Sequence, residues 1–160
     1  MAIGDVTLWR ISKETPDYTA NDLSGGGAKK MGGRWNTKGM AVVYASSTIA
    51  LATLETLAHL GDNISIRNAF LVGITVPKSV WAARAIIAAA SLPPSWVAEP
   101  PGKASTDFGD AWLMSNAAAL MLVPSIIVPE EYNVLINPAH PSVARMSSAV
   151  ARQYLYDPRL

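Results

Sequence analysis

Cysteine is absent from the 160 residues. Disulfide frameworks, thiolate zinc sites and cysteine nucleophiles are excluded with it. Histidine is scarce, with two in the chain, so a zinc site would need carboxylates to complete it, and no metal is expected. Charge is also scarce. Only 16% of residues are charged, and 13 Lys and Arg against 12 Asp and Glu leave a net +1. A surface that grips a nucleic-acid backbone needs clustered positive charge, and no basic stripe occurs here. Long uncharged apolar runs are missing too. The segment "VWAARAIIAAASLPPSW" carries Arg84 and ends at two prolines, so no membrane span is expected. The opening "MAIGDVTLWRISKET" lacks a basic start followed by an apolar run, which makes a cytoplasmic chain the expectation.

What is present is an apolar, Ala-rich chain, 50% hydrophobic. Its length suits a single domain over residues 1–160, burying roughly 70% of the surface of the unfolded chain. A surface so short of charge suggests one partly covered by a partner.

The pattern alternates strands with few helices. Thr7–Ser12 reads as an opening strand. The polar, Gly-rich segment from Thr15 to Met40 reads as a long loop, and loops longer than about 15 residues are often functional. "AVVYAS" is a strand of β-branched and aromatic residues. "SSTIALATLETLAHLGD" is the clearest helix, with Ser46, Ser47 or Thr48 as cap, Gly61 as stop, and Leu51, Leu54, Leu57 and Ala58 as its apolar arc. "AFLVGITVP" is apolar on both faces, as a buried central strand would be. "STDFGDAWLMSNAAAL" predicts a helix capped by Ser105 or Thr106, with Trp112 and Leu113 inward. "LMLVPSIIVPEEYNVLINPAHP" predicts two strands turning at Pro129-Glu130-Glu131, and "RQYLYDPRL" a last edge strand. The short strand-to-strand turn demands an antiparallel pair. The fold class is therefore α+β.

Arg34 stands in "GGGAKKMGGRWNTKG", among glycines. A guanidinium is a rigid, permanently charged fork that fits phosphate or carboxylate. Glycines let backbone N–H groups approach an anion. The same residue could equally cap a strand end or pair with a surface acid. Neither phosphate-binding glycine pattern is present. Glu55 lies in an apolar helix, where a partly desolvated carboxylate could stabilise a cation or act as a base; alternatively it pairs with His59 one turn on. Ser125 sits in "VPSIIVP" outside any nucleophile elbow, and could be a buried serine bonded to backbone. Tyr44 could stack on a planar ring or pack in the core. His140 in "NPAHP" reads as a turn residue.

In combination these residues are more informative. A cationic fork would hold a diphosphate, and an aromatic with a serine would hold a ring and a sugar. A carboxylate would stabilise an oxocarbenium ion. Cleavage of a nicotinamide–ribose bond needs little more, because the pyridinium leaving group requires no general acid.

The sequence resembles the RES-domain family, the toxins of bacterial RES–Xre type II toxin–antitoxin pairs. The resemblance rests on Arg34 in "GGRWNTKG", Glu55 in "ALATLETLAHL" and Ser125 in "LVPSIIVPEEYNVLINPAHP". "LWRIS" around Arg10, "AVVYAS", "FGDAWL" and "YLYDPRL" extend it nearly end to end. It implies an ADP-ribosyltransferase-like fold, with two small mixed or antiparallel sheets around an NAD-binding cleft and flanking helices. It implies NAD+ as substrate, degraded by hydrolysis or phosphorolysis or used to ADP-ribosylate a protein target. By the same carry-over, Arg10 and Arg34 would contact phosphate or ribose oxygens. Tyr44 would lie near the nicotinamide, Glu55 would stabilise the oxocarbenium, and Ser125 would fix the ribose. The implied partner is an Xre-type helix-turn-helix antitoxin, through which alone DNA would be contacted. A non-catalytic nucleotide- or peptide-binding module is the competing reading, favoured by the shortage of general bases.

Overall fold

A computed structural model describes residues 3–60 and 68–160; Gly61, the expected helix stop, lies outside them. The chain runs β1 (Val6–Lys13), α1 (Gly26–Met31), β2 (Val43–Ser46), α2 (Ile49–Leu60), β3 (Ala69–Val76), α3 (Lys78–Ala82), β4 (Ala85–Ile86), α4 (Lys103–Ser115), β5 (Leu120–Pro124), β6 (Tyr132–Ile136) and β7 (Ser147–Gln153). Short 3-10 turns lie between β4 and α4 and before β7.

The strands form a sheet ordered β4-β5-β6-β2-β1-β3-β7. Every pairing is antiparallel except β4 with β5. The expected turn at Pro129-Glu130-Glu131 lies in the β5–β6 hairpin, closed by Ser125 N–H donating to Glu131 O at 2.9 Å. Where the resemblance implied two small sheets, the ladder is continuous through seven strands. Its weak point is the β1–β2 junction, where only Trp9 and Ser46 are in register. By contrast, β1 and β3 share the whole run from Val6↔Val76 to Lys13↔Ala69. Two half-sheets thus meet at one residue pair.

Side-chain alternation divides the two faces. One carries Leu8, Val43, Ala45, Val72, Ile74, Val134 and Ile136, packed with Val80 of α3 and Met146. On the opposite face Met121, Val123 and Leu135 pack with Trp112 and Leu113 of α4, and with Trp35, Leu92 and Trp96 from connecting segments. Tyr44, Ser46 and Asn133 share this second face by register.

Four expectations are corrected. The long Gly-rich segment contains α1, so it is not all loop. The buried arc of α2 runs through Leu51, Ala52 and Thr53, while Leu54 and Ala58 are exposed. Thr48 supplies its cap, accepting from Leu51 N–H at 3.1 Å. The last strand begins at Ser147, and only its end reaches Arg152-Gln153. The α4 helix also starts earlier than expected: Gly102 holds the capping position, so Ser105 and Thr106 fall in the first turn and donate back to the Gly102 carbonyl. It ends at Asn116, which takes a left-handed φ of 52°.

Candidate functional site

Glu55 lies mid-way along α2, on the side that turns toward the β5–β6 hairpin. Its carboxylate accepts two hydrogen bonds on the same oxygen. Ser125 Oγ donates to Oε1 at 2.6 Å and Asn133 Nδ2 at 2.7 Å. Among the described residues no donor reaches Oε2. The alternative partner, His59, is exposed. A carboxylate held by two short, charge-assisted bonds has one fixed orientation.

Beside it is an open cleft of about 60 Å3, enough for a few waters. Arg34, Tyr44, Glu55 and Asn133 supply its polar wall, and Trp35, Pro124 and Ile126 its apolar one. Residues distant in sequence converge here because β2 and β6 are paired (Tyr44↔Leu135, Ser46↔Asn133) and α2 crosses their face.

Arg34 is engaged within its own chain. Nη1 donates to the carbonyls of Trp96 and Ala98, both at 2.9 Å, and Nη2 pairs with the Glu99 carboxylate. Trp35 stacks on Trp96 with centroids 6.1 Å apart, so the 93–101 connection backs the two cleft residues Arg34 and Trp35. The pairing with a surface acid is therefore the one realised. The N–H groups of the glycines on either side of Arg34 form no anion cradle: those of Gly32, Gly33 and Gly39 are taken up by the carbonyls of Ala28, Asn36 and Lys29. Gly33 instead permits close approach, since a Cβ there would stand 2.7 Å from the Tyr44 hydroxyl.

The Tyr44 hydroxyl fastens this loop. It donates to Asn36 Oδ1 at 2.6 Å and accepts from Trp35 N–H at 3.0 Å. Burial pushes the phenol above the usual tyrosine range, so it stays protonated. Asn36, 1% exposed, gives its amide hydrogens to the carbonyls of Ala28, Thr37 and Met40. From α4, Asp110 accepts from both the N–H and the hydroxyl of Thr37. Gly109 lies so close that a Cβ would fall 1.6 Å from Trp35 O.

Ser125 is 0% exposed. Its hydroxyl donates to Glu55 and accepts from Ile127 and Val128 N–H, both at 3.1 Å. All three positions of a hydroxyl are filled, so Ser125 stands behind Glu55 and not against the cleft. Arg10 is not brought to the site. It is in register with Val72, whose face is opposite that of Tyr44 and Asn133. Its guanidinium donates to Ser12 Oγ. Burial lowers its pKa, partly offset by Asp22. His140 is a turn residue whose Nδ1 accepts from Ser142 N–H. The residues missed from sequence are Asn133 and Ser46, which look like ordinary polar strand positions. The available signal was their strand pairing opposite a helix that carries the acid.

A small α+β domain with a half-buried, oriented acid facing an arginine-lined cleft is the class these features define. Residues 7–157 match the RES domain family model, and the chain belongs to that family. It is 49% identical over 154 residues to "Prs ADP-ribosylating toxin" of Sphingobium sp. strain YBL2, covering 96% of each chain. It is 37% identical to "Toxin Res" of Yersinia enterocolitica, covering 89% of this chain and 93% of the relative. The structure of the M. tuberculosis MbcT–MbcA toxin–antitoxin complex aligns with a TM-score of 0.66 at 16% identity, over 93% of this chain and 85% of that one. That likeness shows the fold.

Proposed function

We propose that this chain is the toxin of a type II toxin–antitoxin pair and consumes NAD+ by breaking the nicotinamide–ribose bond. The observation that carries the reading is the Glu55 carboxylate, which lines the cleft and is fixed through one oxygen by Ser125 and Asn133. The bond electrons leave with nicotinamide, which departs neutral. The ribosyl carbon becomes oxocarbenium-like, and Glu55 stabilises that charge. Water, phosphate or a protein side chain then bonds to this carbon and gives up its proton to solvent. Arg34 would meet the diphosphate after releasing Glu99, and Tyr44 would keep the Trp35 segment against the ring. On this reading the two half-sheets correspond to the two small sheets of an ADP-ribosyltransferase-like fold within one domain.

The Sphingobium relative's name gives Prs as its ADP-ribosylation target, so transfer to a protein is the first arm to test here. The partner would be an Xre-type antitoxin carrying the DNA contacts. Among the described residues no helix is long and apolar enough to cross a membrane, and no group of three or more His, Asp or Glu could hold a metal.

The test is a time course of NAD+ with purified chain, with and without phosphate and with cell extract, followed by mass spectrometry. NAD+ loss that disappears in Glu55→Ala supports the reading, and retained turnover in that variant overturns it. A binding module without chemistry is favoured by the narrow cleft and the occupied Arg34; NAD+ bound for hours without product would select it.

A further inference from the structure

We infer that Asn133 is a positioning residue for Glu55, and that Ser46 sets the direction in which it acts. The inference rests on the reading of Glu55 as the charge-stabilising acid and adds the device that aims it. An ionised carboxylate can only accept, so the Asn133 atom at 2.7 Å from Glu55 Oε1 is the NH2 group. The Asn133 carbonyl oxygen then points the other way, to Ser46 Oγ at 2.7 Å. It can only accept, so Ser46 donates. The chain Ser46 O–H to Asn133 O, and Asn133 N–H to Glu55, therefore has one polarity.

The backbone holds this relay in place. Ser46 and Asn133 are direct partners across β2 and β6. Ser46 is also the residue through which β2 meets β1, in register with Trp9. It is 3% exposed, so water does not compete for its hydroxyl. The carboxylate is thus aimed from two sides: by the hairpin through Ser125, and by the sheet seam through the Ser46–Asn133 pair. Asn133 touches the acid and lines the cleft. Its effect on the reaction goes through Glu55.

Four variants test this, each checked for a native circular dichroism spectrum. Asn133→Ala removes the donor. Turnover should fall about 10- to 100-fold, as expected for a misplaced reacting group, with NAD+ affinity within about 3-fold of the parent. Asn133→Asp keeps the shape but places a second carboxylate against Glu55. Its turnover relative to the parent should recover as pH falls, because two adjoining carboxyls share a proton and the shared proton restores a donor. Ser46→Ala should lower turnover less, by about 2- to 5-fold. An activity-independent readout is the NMR signal of the Asn133 side-chain amide, which should move in both Ser46→Ala and Glu55→Gln. If the parent fails to consume NAD+, the proposed function falls while the amide signal still tests the relay. A stationary amide signal overturns the relay. So does unchanged turnover in Asn133→Ala, a loss confined to KM, or a pH-independent loss in Asn133→Asp.

Discussion

Tyr44 shows how one side chain can hold a cleft-lining loop together. Its hydroxyl ties Asn36 and Trp35 N–H together, flanking Arg34 in the loop. Tyr44→Phe leaves both partners buried without it, and should cost about 1–3 kcal/mol in urea unfolding. The pH dependence has a definite sign. The folded phenol holds its proton more tightly than the unfolded one, so the stability it lends is complete below the ordinary tyrosine pKa of about 10 and is lost as pH rises beyond it. The unfolding midpoint should therefore fall more steeply above that pH in the parent than in Tyr44→Phe. Equal slopes would mean the phenol is not held as described. Arg34, Tyr44, Glu55 and Ser125 were all legible as letters in a motif. Their division of labour was not, because a serine that supports an acid and one that touches sugar look alike in sequence. Asn133 was hidden by its surroundings in "EEYNVLI", where an amide reads as a strand surface residue.

At the scale of elements, the connection from Pro93 to Pro101 is tied to the cleft residue Arg34. The carbonyls of Trp96 and Ala98 are geometric anchors, whereas Glu99 is 75% exposed. An ion pair with one solvated partner is worth about 0–1 kcal/mol, weak enough for the diphosphate of the proposed substrate to displace. Glu99→Gln should lower KM for NAD+ by about 2- to 5-fold with kcat unchanged; a raised KM would show that Glu99 holds the substrate. The α4 helix backs Trp35 less yieldingly. Gly109→Ala would drive a methyl into Trp35 O and should cost roughly 3 kcal/mol or more in thermal unfolding; a stability unchanged from the parent would contradict the packing. The helix "FGDAWL" was found from its Trp-Leu pair, while the reason for its glycine lay in a contact more than seventy positions back in the chain. The arc of α2 was misread for a related cause. Its buried positions include Thr53 and the half-buried Glu55 and Thr56, so a hydrophobicity period fitted the leucines and rotated the helix.

For the whole molecule, the question is whether two half-sheets meeting at Trp9 and Ser46 behave as one cooperative unit. The α+β class and the antiparallel hairpin were readable from turn lengths. The strand order was not, since pairings such as β1 with β3 depend on contacts far apart in sequence. Hydrogen bonding alone would let the halves part, because β1–β3 and β5–β6 are each ladders in their own right. The apolar face argues otherwise. Leu8, Val72 and Ile74 from one half belong to the same buried cluster as Val43, Val134 and Ile136 from the other. Packing that crosses the seam couples the halves more strongly than its one ladder pair. Leu8 is 0% exposed, so Leu8→Ala should cost about 2–5 kcal/mol. If the coupling holds, that loss appears equally in the native-state hydrogen exchange of the slowest amides in β1–β3 and in β5–β6, because both open through the same global unfolding. Loss of protection in β1–β3 alone, with β5–β6 untouched, would make the halves separate folding units and leave Glu55 oriented by only one of them.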